Sequence, residues 1–225
     1  MSSPLVEAVD VSRVYQQGNT LFRALDSASC RVFPGDRIAL VGPSGSGKST
    51  LLHLLGGLDE PTSGTIIWPD LGPVETLRPE MIAFVFQGQS LLPSLNVVEN
   101  VELPVLLGPR AGNGRAAANA ALERLGLSSL SEKLPEELSG GQAQRAAVAR
   151  AIAGQPRLIL ADEPTGQLDG ATASALFDAL LIHLAGTDAA LVVATHDLAV
   201  AAKLGRLWKI EHGVLETAPC SGSLS

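Results

Sequence analysis

Nine consecutive residues, Gly42-Pro43-Ser44-Gly45-Ser46-Gly47-Lys48-Ser49-Thr50, carry the most legible chemistry in this chain. They fit the pattern G-x-x-x-x-G-K-[ST], a loop whose glycines let successive backbone N–H groups turn inward around an anion. An apolar run over 37–41 precedes the loop and an apolar-periodic stretch over 51–55 follows it. That is the strand–loop–helix setting such a loop requires, and the helix start adds its positive dipole end. In this arrangement Lys48 reaches the β- and γ-phosphates of a nucleotide and Ser49 ligates Mg²⁺.

A second strand end points to the same chemistry. Leu158-Ile159-Leu160-Ala161-Asp162-Glu163-Pro164 is apolar until it reaches two adjacent carboxylates. In open α/β sheets ligands sit beyond the carboxyl ends of the strands. Asp162 is expected to hold Mg²⁺, directly or through water. Glu163 points elsewhere and could polarise an attacking water. A strand end capped by solvated acids is the plain alternative, and the phosphate loop in the same chain weighs against it.

The elements that must position these groups follow from hydropathy. Strand signals fall at 5–11, 28–33, 37–41, 65–68 and 83–86, and again at 158–161, 191–194, 207–210 and 214–216. The runs at 38–41, 158–161 and 191–194 are almost wholly apolar, as strands buried on both faces of a parallel sheet are. The early runs alternate, which suits an antiparallel edge sheet. A helix-rich stretch over 96–154 lies between, with helices expected over 115–125 and 142–153 and a loop over 127–135. The expected fold is an α/β core with an antiparallel β edge subdomain and an inserted α-helical subdomain. The core covers about 1–87 and 155–216, the helical part 88–154, and residues 217–225 form a tail. There is one phosphate loop and no internal repeat, so a single domain accounts for the chain.

Composition removes several classes. Of 225 residues, 46% are hydrophobic, ample for a core, but only 4% are aromatic, too few for stacking bases along a strand. The formal net charge of −7, with no long basic run, argues against nucleic acid as a partner. The first five residues show no secretory leader pattern. The longest apolar stretch, from Ala171 to Ala185, is broken by Asp178 and His183 and reads as an amphipathic surface helix. Cys30 and Cys220 are isolated in sequence, which gives neither a disulfide framework nor a metal spacing and fits two reduced thiols in the cytosol.

One further segment brings a resemblance. Leu138-Ser139-Gly140-Gly141-Gln142 is followed by Ala143-Gln144-Arg145. By geometry alone, Ser139 is an N-cap and the glycines open a helix whose amides form a second phosphate-binding end. The segment resembles the LSGGQ signature of ATP-binding-cassette (ABC) ATPases, and the likeness runs over about 5–216 with the motifs in the family's order. It implies a P-loop NTPase (RecA-like) core, ATP and Mg²⁺ as cofactors, and ATP hydrolysis. It also implies a head-to-tail homodimer in which Ser139, Gly140, Gly141 and Gln142 of one subunit face the γ-phosphate held by the other. By the same resemblance Tyr15 stacks on adenine. Gln87 touches Mg²⁺ or the attacking water and connects the core to the helical part. Asp169, ending Thr165-Gly166-Gln167-Leu168-Asp169, reaches across the dimer. His196 contacts the γ-phosphate, where an imidazole can donate a hydrogen bond. His53, His183 and His212 have no such context and read as structural.

Within the family the chain is most similar to the lipoprotein-releasing and macrolide-exporter type. The carrying segments are Phe86-Gln87 with Leu91-Leu92-Pro93, then Glu99-Asn100-Val101, and Ala161 to Gly166. It departs from that type at Gln167, at Ala143 and in a short stretch between Trp68 and Met81. The resemblance implies a subunit peripheral to the inner, cytoplasmic face of the cell membrane that powers a permease in export or extraction. The segment from Gly88 to Leu107, with Leu91, Leu92, Leu95, Val97 and Val98, could line a groove for a coupling helix of that permease. Ordinary packing explains the same apolar content. Two other readings stay open: a regulatory clamp on a membrane partner without cargo, and a soluble ATPase.

Overall fold

A computed structural model describes residues 2–88, 90–108, 111–166 and 168–217. The expected tail beyond Thr217, with Cys220, and Gln167 of the 165–169 segment lie outside the described residues. In chain order the main elements are β1 (Val6–Gln17), β2 (Thr20–Val32), β3 (Arg37–Val41), α1 (Lys48–Leu55), β4 (Ser63–Ile67) and β5 (Ile82–Val85). There follow α2 (Val97–Leu106), α3 (Gly114–Arg124), α4 (Gly140–Ala153), β6 (Leu158–Asp162) and α5 (Gly170–Leu184). The chain closes with β7 (Ala190–Thr195), α6 (Leu198–Ala202), β8 (Arg206–Glu211) and β9 (Val214–Thr217). These form two compact units: residues up to Leu77 with those from Ala190 onward, and residues 78–189.

The first unit holds an antiparallel sheet, β2-β1-β4, and a sheet segment in which β3 pairs in parallel with β7 and β8 while β9 returns antiparallel to β8. Ile38, Ala39 and Leu40 of β3 and all six residues of β7 are buried. That is why these runs carry no alternation: both faces of the sheet are covered there. In β8 only Trp208 and Ile210 are buried, at period two, as a strand covered mainly on one side requires. Helix α1 packs Leu51, Leu52, Leu54 and Leu55 inward directly after the phosphate loop.

The hairpin β1–β2 is longer than hydropathy predicts. Its pairing continues from Val6↔Val32 out to Gln17↔Thr20. The register shifts between Ala8 and Val11, between Val11 and Arg13, and between Arg13 and Val14. Each irregularity breaks the period-two pattern, and the outer ribbon from Thr20 to Arg23 is exposed, so backbone pairing alone marks it as strand.

The second unit pairs β5 with β6 in parallel, packs α4 on β5 and gathers α2, α3 and α5 around α4. All five residues of β6 are buried. Helix α4 buries Ala143, Ala146, Ala147, Val148, Ala149, Ile152 and Ala153; these small side chains let α2, α3 and β5 come close. Helix α2 begins at a reciprocal cap: the Asn96 side chain accepts from the Glu99 amide, and Glu99 accepts from the Asn96 amide. In α5 the residues Ala173, Leu176, Phe177, Leu180 and Leu184 are buried while Asp178 and Ile182 are exposed, the amphipathic pattern expected.

Candidate functional site

The phosphate loop is shaped by what surrounds it. Gly42 follows β3, and a Cβ there would collide with the carbonyl oxygen of Ile210 in β8. A Cβ on Gly47, which has φ +110°, would collide with the carbonyl of Ala24 in β2. The loop is thus pressed between two strands that only glycine lets it approach. It is held there by hydrogen bonds from Gly213 N to Ser46 O (3.0 Å) and from Ser46 N to Pro43 O (3.2 Å). Lys48 folds back along the loop: its Nζ donates to Gly42 O at 2.8 Å and Pro43 O at 3.0 Å, and the residue is buried. Pro43, Ser44, Gly45 and Ser49 are exposed, and Thr50 is half-buried.

Three observations fit this loop to a polyphosphate. Helix α1 has no side-chain cap at Gly47 and no acid in its first turn, so its leading amides meet neither an internal acceptor nor a repelling charge. The Ser46 hydroxyl is buried with no hydrogen-bond partner. The Lys48 ammonium rests on neutral carbonyls, Gly42 O and Pro43 O, at the loop where a charge-assisted bond to an anion would form.

The strand end after β6 sits in the second unit. Asp162 and Glu163 are each 9% exposed. Glu163 has φ +46°, a left-handed conformation that costs a non-glycine residue strain and recurs where function fixes a side chain. The turn behind it is closed by Gly166 N donating to Glu163 O at 3.1 Å. Among the described residues no group of three His, Cys, Asp or Glu side chains could hold a metal ion by itself. Mg²⁺ bound with a nucleotide needs less: one or two oxygen ligands from protein, with phosphate oxygens and water completing the octahedron. Ser49, in the first unit, and Asp162, in the second, each carry an oxygen of the kind such an ion takes.

In the same unit Ser139 caps α4. Its Oγ accepts from Gln142 N at 3.2 Å, and Gln142 Oε1 accepts from Ser139 N at 2.9 Å. The sequence expectation of a cap is met, and the helix starts two residues earlier than its apolar pattern, at Gly140. Gly141 lies against Leu168, whose side chain a Cβ there would meet. Gln87 is exposed just after β5, and Phe86 O before it accepts from the buried Gln144 Nε2 at 3.4 Å. Asp169 is the N-cap of α5: it accepts from Ala171 N (3.1 Å), Thr172 N (3.0 Å) and Thr172 Oγ1 (2.7 Å). The Thr172 bonds hold its carboxyl below the usual range.

In the first unit His196 is exposed at the end of β7, next to Asp197, which caps α6. Tyr15 is half-buried in β1, with its hydroxyl on Asp59. His183, in α5, has its pKa lowered by burial and by the nearby Arg124 charge, as a structural histidine would. Each unit therefore carries its own share of the expected residues: Tyr15, residues 42–50 and His196 in one, and Gln87, residues 139–142, Asp162, Glu163 and Asp169 in the other.

Sequence reading missed the supports. Ile210 acts on the loop through its backbone carbonyl, which no residue pattern encodes. Asp59 belongs to an exposed-looking Asp-Glu-Pro turn, and only its partners Arg13 and Tyr15 reveal it. Asn100 is fully buried and tied to four backbone groups, Leu92 N and the carbonyls of Leu92, Leu95 and Asn96.

Residues 25–166 match the profile described as ABC transporter. The chain is 41% identical over 223 residues to the lipoprotein-releasing system ATP-binding protein LolD of Legionella pneumophila (strain Paris), covering 96% of this chain and 98% of that one. It is 38% identical to the protein of the same name from Rickettsia bellii, with 96% and 99% covered. Among solved structures it superposes with TM-score 0.88 and 34% identity on the ATP-binding cassette MJ0796, a dimer in a post-hydrolysis state bound to ADP and Pi, over 97% of this chain and 100% of that one.

Proposed function

The chain belongs to the ABC transporter family, as the ATP-binding subunit that hydrolyses ATP, and from that premise we propose that it powers a lipoprotein-releasing permease from the inner face of the cell membrane. The observation that carries the reading is the Lys48 ammonium held on the carbonyls of Gly42 and Pro43 inside a glycine-shaped loop. Supporting the cargo class is near-full-length similarity to proteins named as lipoprotein-releasing ATP-binding subunits. Among the described residues no helix is long and apolar enough to cross a membrane, so transport needs a partner that does.

In the proposed cycle residues 42–50 bind the triphosphate through backbone amides and Lys48, and Tyr15 takes the adenine. A second copy approaches head to tail, and its Ser139-Gly140-Gly141 helix start donates to the γ-phosphate. Ser49, Asp162 and Gln87 are the residues that would hold Mg²⁺, which would supply positive charge against the phosphates. Glu163 accepts a proton from water while His196 donates a hydrogen bond to the γ-phosphate. Loss of that phosphate removes the shared ligand, and the dimer opens. The segment from Gly88 to Leu107 receives a coupling helix of the permease, so that opening and closing moves it. Asp169 completes the contact between copies.

The test is affinity purification of tagged Glu163→Gln in mild detergent with ATP, read by mass spectrometry. We expect a stoichiometric integral-membrane protein to co-purify. A clean dimer alone would overturn the permease reading in favour of a soluble ATPase. With the partner in hand, reconstituted vesicles that release no lipoprotein on ATP addition would turn it into a clamp.

A further inference from the structure

Beside the nucleotide loop, the first unit contains a second polar construction. Arg13 and Tyr15 stand two residues apart in β1, and both side chains reach one carboxylate, Asp59. Asp59 lies just beyond α1, the helix that the phosphate loop opens. Arg13 grips Asp59 with both ends of its fork, Nε to Oδ2 at 2.9 Å and Nη2 to Oδ1 at 2.6 Å. The Tyr15 hydroxyl donates to the same Oδ2 at 2.7 Å. The Arg13 guanidinium also lies over the Tyr15 ring, 4.6 Å from its centroid. These two side chains of β1 and one carboxylate thus make a closed triangle.

Such a triangle fixes a ring more tightly than strand packing does. The hydroxyl bond sets the ring's direction and the guanidinium sets its plane, since a cation prefers the π face. A side chain that has lost its torsional freedom before a ligand arrives loses none on binding. The stack has a second effect: a cation on one face draws electron density from the ring and strengthens stacking of an electron-rich heterocycle on the opposite face. Asp59 adds a geometric link. It follows α1, so the carboxylate that aims Tyr15 is positioned by the same helix whose start binds phosphate. Burial works against its charge, yet the hydrogen bonds from Tyr15 and the Glu60 amide and the Arg13 charge hold its carboxyl below the usual range.

We propose that Arg13 and Asp59 are positioning residues for the nucleobase: they lock Tyr15 as a one-sided platform at a set distance from the phosphate loop. This rests on the reading that Tyr15 takes the adenine. The platform should therefore matter for ligands that carry a base and not for ligands that carry phosphates only.

The experiment compares binding of ATP and of inorganic tripolyphosphate, each with Mg²⁺, by titration calorimetry on the full chain. Wild type is set against Tyr15→Ala, Arg13→Met, Arg13→Lys and Asp59→Asn. Tyr15→Ala should weaken ATP about ten-fold and leave tripolyphosphate unchanged. Arg13→Met keeps the apolar stem and loses the fork; it should weaken ATP about three- to five-fold with tripolyphosphate unchanged. Asp59→Asn should do the same, and Arg13→Lys should recover part of the loss by restoring the cation. If Tyr15→Ala leaves ATP binding intact, the adenine reading fails, and this inference with it. If Tyr15→Ala weakens ATP but Arg13→Met and Asp59→Asn do not, the adenine reading stands and the positioning role is overturned. A parallel loss of tripolyphosphate binding in those two variants would make the pair a general support of the fold and would also overturn it.

Discussion

The carbonyl oxygen of Ile210 occupies the place where Gly42 would carry a Cβ. The contact is backbone against backbone, so no rotamer change relieves it. Gly42→Ala should push the phosphate loop off β8, cost about 1–3 kcal/mol of stability and weaken ATP at least about ten-fold. Thermal unfolding and nucleotide titration of the variant check both; an unchanged affinity would show that the loop tolerates displacement.

Glu163 is expected to accept the proton of the attacking water. Glu163→Gln keeps its shape and its strained backbone but removes the base. ATP affinity should stay within about two-fold while turnover falls by at least about 100-fold. Single-turnover hydrolysis at saturating ATP measures this, and near-normal turnover would remove Glu163 from its role.

The buried Asn100 joins the start of α2 to the segment before it through four hydrogen bonds. Asn100→Leu fits the volume but leaves the Leu92 amide and the Leu95 carbonyl without the partner Asn100 supplies, while the Leu92 and Asn96 carbonyls keep the backbone amides of residues 95 and 100. The loss should be about 2–4 kcal/mol. Chemical denaturation with an unchanged m-value would register it as a drop in midpoint.

Asp59 predicts a pH dependence. Its folded pKa is depressed, so its contribution to stability is complete above the ordinary carboxylate value of about 4 and is lost as pH falls through the lower folded value. Wild type should exceed Asp59→Asn in melting temperature at pH 7, and the gap should close below about pH 4. A gap that persisted in acid would mean that the ionised carboxylate contributes nothing.

Cys30 should be inert in the folded chain. Burial pushes its thiol up to about 12, and the nearby Arg206 charge offsets this only in part. In a Cys220→Ser background, a thiol reagent at pH 8 should label nothing until denaturant is added. Prompt labelling of native protein would show that β2 opens locally.

The sequence by itself determined the parts whose chemistry is local. The phosphate loop, the Asp162-Glu163 strand end and the Ser139 cap are contiguous patterns, because a loop, a strand end and a helix start each need only their neighbours to take shape. The fully apolar strands at β3, β6 and β7 were legible for the same reason: burial on both faces is written in consecutive residues. The tertiary structure decided what depends on residues distant in the chain. The outer half of the β1–β2 hairpin is held by pairing across bulges that scramble the alternation. The carbonyls of Ile210 and Ala24 make Gly42 and Gly47 obligatory, and Gly213 anchors Ser46 from the far end of the chain. Asp59 meets Tyr15 across 44 residues. A sequence prints side-chain types in order; contacts made by backbone atoms, or between side chains that only folding brings within 3 Å, have no order to be read from.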